Sequence, residues 1–442
     1  MKKSIILLIV YLSSYNLIAQ YTAIPDYCFE ENLINNGLDT VQDGFVLTAN
    51  ISNVSSLHLN LICGDGISDL TGIQDFGELE SLEVIDHQLT KLDLSMNLNL
   101  RNLRCMYNQI DSLNVTMLTD LEYLECYGNP IPSIVVTNNT KLKVLEVGGS
   151  INQLDLTNNL DLVRLYCYGT QVSNLDVRNN VLLEYLNCAG NEITELDLTE
   201  NLLLIDLNCS RNNLTELDLS NNLNLESLTC GYNSISSLNV SINTTLEYIV
   251  CYGNEMENLI IEGAINLRSL DCQINKLSQL NLANNSKLKK LVCRGNELVC
   301  LNVKNGNNIN IGNSDFYAYE NPLLNCIEVD DPTWSADNWN NIDSHVIFSD
   351  SCDNECSTYT NVETYHCKPT AYPNPNNGTF SFNSNNNDQG LIKMYNMVGI
   401  EVFSKEISPN CESQIKTDLG HGMYLLRFIG AKSEYMHKII IK

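Results

Sequence analysis

The chain has 442 residues, enough for two or three domains, with 53 acidic against 25 basic side chains and a formal charge of −28. Such a balance repels phosphate backbones and anionic membrane faces, which argues against nucleic acid and lipid headgroups as partners. From Tyr372 onward there are seven basic and six acidic residues, so the negative charge lies before that point and a domain boundary is expected near it.

The first element reads as a secretory signal over residues 1–19. Lys2 and Lys3 give the positive start, residues 5–12 the apolar run, and Ala19 the cleavage point before Gln20. That run is too short to span a bilayer, and no later stretch approaches the length, so no membrane insertion is expected of the mature form. Residues 20–78 form an N-terminal cap. There Pro25, Phe29, Leu33, Ile34 and Leu38 have helical spacing and predict a helix over 26–36.

From 79 to 303 the sequence repeats itself. Leu100, Leu103, Cys105, Asn108, Ile110, Leu113 and Val115 recur as Leu121, Leu124, Cys126, Asn129, Ile131, Ile134 and Val136, and again as Leu204, Leu207, Cys209, Asn212, Leu214, Leu217 and Leu219. The cysteine column runs 105, 126, 167, 188, 209, 230, 251, 272, 293, with Val84 and Val147 in the same column, so about eleven copies stand in register. The step is 21 residues except after Val147, where one is deleted. The unit is LxxLxCxxNxLxxLDLxxNxx. Each Leu-x-Cys segment alternates in and out and predicts a short strand, stacked in parallel on its neighbours at roughly 4.8 Å. No single copy can bury its apolar face alone; stacking makes the core. The LDL half alternates too and predicts a second short strand on the opposite wall, with little room for a helix. This unit resembles the leucine-rich repeat, in the irregular 21-residue class of bacteria. The resemblance implies a mainly β solenoid of parallel strands.

Asn108, Asn129, Asn191, Asn212, Asn233, Asn254, Asn275 and Asn296 form one column, with Ser150 and Thr170 as substitutes and His87 in the first copy. A chain turning inward strands backbone N–H and C=O groups, and a stacked amide can both donate to and accept from them. A second column follows LDL: Asn97, Asn139, Asn159, Asn180, Asn201, Asn222, Asn243 and Asn285. Both columns read as structural.

Nine of the seventeen cysteines belong to the repeat column. Parallel stacking holds their Cβ atoms wider apart than a relaxed disulfide prefers, so free buried thiols are expected. In the exported context, Cys28 with Cys63 and Cys326 with Cys352 are the expected staples of the two caps. Cys352, Cys356, His366 and Cys367 match no common zinc spacing, and no metal is expected.

Residues 304–352, with Trp334 and Trp339, read as the C-terminal cap and 353–371 as a linker. The remainder, 372–442, reads as short alternating strands between Gly, Pro and Asn turns, a small antiparallel β-sandwich. Its sequence marks are Tyr372, Pro373, Asn374, Pro375 and Gly378, then a hydrophobic strand ending in Met397-Val398-Gly399, then Gly422-Met423-Tyr424-Leu425-Leu426 and a basic terminal strand. This order resembles the C-terminal sorting domain of the type IX secretion system. The Met-Val before Gly399 departs from the polar pair more usual in that family. The resemblance implies a Gram-negative bacterium of the Bacteroidota, passage across the outer membrane, contact of 372–442 with the secretion machinery, and a secreted or surface-attached product.

An active site is not expected. No HExxH, GxSxG or phosphate loop occurs, and none of the six histidines recurs with a carboxylate and a nucleophile, so no cofactor is expected either. The Asp93, Asp155, Asp176, Asp197 and Asp218 column reads as a solvated face and not as a calcium site. The outward face of the first strands carries Tyr123, Tyr127, Tyr166, Tyr168, Tyr185, Tyr248 and Tyr252, with Tyr107 and Tyr232 just beyond. Tyrosine combines large contact area with a polar tip and is enriched in recognition surfaces, although it also simply suits strands. The expectation is a secreted or surface module binding a protein or glycan ligand, without enzymatic activity. Two readings compete with it: a carbohydrate-active enzyme on a β-helix, and a purely structural surface protein. The regular LxxLxC unit disfavours the first; ordered self-assembly without ligand binding would mark the second.

Overall fold

The computed structural model describes residues 20–64, 66–353, 356, 370–372, 377–383, 390–396, 400–407, 413–430 and 434–441. The expected signal at 1–19, most of the linker, and Pro373, Asn374, Pro375 and Gly399 lie outside them.

The cap begins with a strand, Tyr21–Ala23, paired antiparallel to Phe45–Leu47. A helix over Tyr27–Asn35 follows, one residue shorter at each end than expected. Asp26 starts it by accepting the Phe29 N–H at 2.9 Å. The same carboxylate accepts from Ser68 and Asp69, so it also ties the helix to the chain entering the array. Cys28 is bonded to Cys63.

The array builds one sheet of thirteen parallel strands, from Ser56–Leu59 to Phe316–Tyr317. Each strand contributes three or four residues, the last only two, and the pairing is in register: Leu82 with Leu103, Leu103 with Leu124, Leu186 with Leu207, Leu207 with Leu228. Those leucines and the column cysteines are fully buried in one continuous apolar core, which also takes in the caps. At the far end Trp339 closes it, stacked on Phe316 at 4.0 Å and donating its indole N–H to the Ile311 carbonyl.

The second wall departs from expectation. LDL-type segments pair as strands only from Ser237–Asn239 onward: with Asn258–Ile260, and then in a sheet of Gln279–Asn281, Cys300–Asn302, Cys326–Glu328 and Ile347–Ser349. In the earlier copies these segments form no strand. The thirteen-stranded sheet is the face for which the leucine-rich-repeat resemblance implies concavity.

The asparagine columns close the turns. Asn212 donates to the Cys188 and Cys209 carbonyls at 2.9 and 3.1 Å and accepts the Ile193 N–H at 3.0 Å. The same three bonds recur at Asn108, Asn129, Asn233 and Asn254. His87 performs the task in the first copy: Nδ1 accepts the Ile67 N–H and Nε2 lies 3.3 Å from the Leu59 carbonyl. Burial lowers its pKa and keeps it neutral. In the second column each amide donates to carbonyls of the preceding copy, as Asn201 does to Val177 and Asn180, while its Oδ1 has no partner among the described residues. The Asp column is exposed and turns the chain: Asp93, Asp155, Asp176, Asp197 and Asp218 each accept the N–H two residues on.

The nine column cysteines are buried and free. Among the described residues three disulfides are present: Cys28–Cys63, Cys326–Cys352 and Cys300–Cys356. The last, unforeseen from the sequence, ties the chain leaving the C-terminal cap back to the second wall. Together with Cys326–Cys352 it removes Cys352 and Cys356 from any zinc site.

The C-terminal residues form a three-stranded and a four-stranded antiparallel sheet around a separate core of Phe380, Phe382, Ile392, Met394, Ile415, Leu426 and Phe428, among others. Tyr372 ends the strand Thr370–Tyr372, Gly378 has φ +88° just before Thr379–Asn383, and Gly422 opens Gly422–Gly430.

Two outcomes are expected. Asn212→Ala strands buried backbone groups and should cost about 3 kcal/mol in a urea titration, against a negligible change for the exposed Asn213→Ala. The column thiols should also set a pH limit. Burial pushes Cys126, Cys167 and Cys293 up to about 12 from an ordinary 9.0, so the fold keeps protons that the unfolded chain releases. The stability they lend is complete below pH 9 and falls as the pH climbs from 9 toward 12. A series of denaturation midpoints across that window, rising instead of falling, would contradict the assignment.

Candidate functional site

Most strands of this sheet present two side chains outward, one on either side of a buried Leu or Ile. Tyr123, Tyr185 and Tyr248 take the first of these positions and Tyr166 the second. Tyr127, Tyr168 and Tyr252 follow the column cysteine, on the rim where the chain leaves the sheet. Tyr107 and Tyr232 stand one residue further, immediately before the column asparagine.

Only the rim tyrosines come together. Tyr107 meets Tyr127 edge-on at 5.7 Å, and Tyr127 lies 5.2 Å from Tyr168, with their hydroxyls joined at 2.7 Å. That hydrogen bond and partial burial push the Tyr127 phenol up to about 12. Further along, Tyr232 meets Tyr252 edge-on at 4.9 Å, and Arg211 lies over Tyr232 at 4.6 Å. Tyr123, Tyr166 and Tyr248 make no ring–ring contact among the described residues; Tyr185 has Arg164 over its ring at 4.8 Å. The nine tyrosines therefore form two clusters on one rim and four separate rings on the sheet.

The rim has a feature that sequence reasoning missed. The residue before each column asparagine adopts a left-handed backbone. Glycine fills it at 128, 149, 169, 190, 253 and 295, but Tyr107 and Tyr232 both occupy it at φ +53°, Arg211 and Ile274 at +54°, and Asp86, ahead of His87, at +61°. A bulky residue there costs roughly 1–2 kcal/mol, and such strain gathers at functional sites. The neighbours accommodate the rings: a Cβ on Gly128 would stand 2.6 Å from the Tyr107 ring, and one on Gly253 2.9 Å from that of Tyr232. The recurrence of Gly ahead of the asparagine, broken by Tyr107, Arg211, Tyr232 and Ile274, was the available signal.

Charges line the N-terminal part of the face. His58 pairs with Glu83 at 2.9 Å, and Arg104 bridges Glu83 and Glu125, each at 2.8 Å. Off this face, beside the shortened copy, a shallow polar groove of about 490 Å³ is lined by Asn152, Gln153, Gln171, Ser173, Asn174 and Glu192 among others. Among the described residues no group of three or more His, Cys, Asp and Glu side chains is arranged to hold a metal, and no helix is long and apolar enough to cross a membrane.

Residues 370–442 match the secretion system C-terminal sorting domain. Among solved structures, the functional domain of InlJ from Listeria monocytogenes, described as including a cysteine ladder, is similar at 20% identity and TM-score 0.51, covering 96% of this chain and 99% of that one. An internalin, InlF, from the same organism is similar at 20% identity and TM-score 0.49, covering 76% of this chain and all of its own. No curated protein sequence matches. The chain is thus a leucine-rich-repeat solenoid that ends in a C-terminal sorting domain, which marks it for export.

Proposed function

We propose that the protein is a surface or secreted recognition module, without catalysis of its own, that binds a protein or glycan ligand on the concave face and is delivered outside a Gram-negative cell by the type IX machinery acting on its C-terminal domain. The observation that carries this reading is the pair of rim clusters, Tyr107–Tyr127–Tyr168 and Arg211–Tyr232–Tyr252. Strand propensity accounts for a tyrosine inside a strand. It does not account for Tyr107 and Tyr232, exposed rings that lie outside the strands on left-handed backbone. Rigid aromatic anchors lose little entropy on binding, and the stacked sheet holds them in place. The fold class supports binding only generically, so the rim carries the argument.

The test is capture on glycan and extracellular-protein arrays. Each hit is repeated with Tyr127, Tyr168 and Tyr252 changed to Ala. Loss of at least about tenfold in affinity is expected for anchors of this kind. Hits that survive the triple substitution, or no hits at all, would sink the concave-face reading.

A further inference from the structure

The charged column on the concave sheet breaks its own pattern. His58, Glu83, Arg104 and Glu125 alternate base and acid on successive paired strands. The next strand places Glu146 beside Glu125, where the alternation calls for a cation. The Glu146 carboxylate is half-buried and has no ion pair or hydrogen bond among the described residues. Burial and the neighbouring Glu125 both raise its pKa, with Arg104 opposing them from one strand further away.

Tyrosines surround this position. Tyr166 follows Glu146 on the next strand. On the rim side, Tyr127 and Tyr168 join hydroxyls across the intervening copy. The residue beneath them is Gly148, where a Cβ would stand 2.6 Å from the Tyr127 ring. Glu146 is close enough to act on the ionisation of both Tyr127 and Tyr166. The result is one unpaired carboxylate, a second beside it that Arg104 already pairs, and two rings, Tyr127 and Tyr166, near them.

We propose that this break in the charge ladder is the docking point for a lysine or arginine side chain of an extended polypeptide, its cation between Glu125 and Glu146 and its stem along Tyr127 and Tyr166. The proposal rests on the reading that the concave face binds a ligand, and names that ligand's chemistry. A cation is what both a like-charged carboxylate pair and the π faces of tyrosines attract. The apolar stem of Lys or Arg suits the rings, and a neutral sugar would leave the carboxylates uncompensated. The net charge of −28 favours encounter with such a partner.

The probe is a fluorescein-labelled decapeptide of alternating Lys and Ser, with its fully Nε-acetylated form as control, titrated by fluorescence polarisation against the secreted protein at about 50 mM salt. Glu146→Gln should weaken the lysine peptide at least about tenfold. Glu216→Gln, which removes the same charge at an exposed position away from this face, should change it less than twofold, and the acetylated peptide should not bind. Equal loss in the two variants would mean attraction by net charge alone and overturn the proposal. So would binding of the acetylated peptide, or no binding to the native protein. A neutral array ligand lost on substitution of Tyr127, Tyr168 and Tyr252 would leave the recognition reading standing while this one falls.

Discussion

Every copy of the repeat turns its backbone into an apolar interior, and in all but the copies of His87, Ser150 and Thr170 the amide of a column asparagine satisfies that turn. Two donors and one acceptor reach two carbonyls and one N–H that strand pairing leaves over, as at Asn212. Without the amide, each copy would bury bare peptide groups at a cost no leucine pair could offset. With it, leucine and cysteine can fill the space between the walls, and the concave strands fall into register. The left-handed residue that precedes the asparagine belongs to the same turn, so the rim tyrosines are placed by the device that closes the core.

The solenoid was legible because its physics is periodic. A residue type that returns every 21 positions shows which side faces in, and the asparagine and cysteine columns could be read before any coordinates. What stayed hidden depends on the whole stack. LDL segments pair as strands from Ser237 onward, where the Asp column that ends at Asp218 gives way to Asn239, Ile260, Asn281 and Asn302; Asn114 stands in a copy that forms no strand, so the substitution alone did not announce the change. Cys300–Cys356 was not foreseen because Cys356 lies past the last repeat, where no period says how the chain returns.

The tyrosines divide along the same line. That they gather on one face follows from the column they occupy. That five meet in two clusters while four stand apart follows from ring directions and from which neighbour is glycine: Gly128, Gly148 and Gly253 leave the room that Tyr107, Tyr127 and Tyr232 take. Glu146 was visible as one acidic residue among several on the face. Only the pairing of Arg104 with Glu83 and Glu125 shows that it is the carboxylate left over.

Because each copy packs only on its neighbours, the number of copies between two features fixes their separation. The Tyr127–Tyr168 hydroxyl pair and the Arg211–Tyr232 pair are separated by one copy, that of Ala189 and Gly190, which offers the rim no large side chain. Adding or removing whole copies there would move the clusters in steps of roughly 4.8 Å and leave each intact. The array therefore behaves as a ruler with fixed graduations. A gain or loss of one copy would alter the length of ligand that spans both clusters without altering what either cluster recognises.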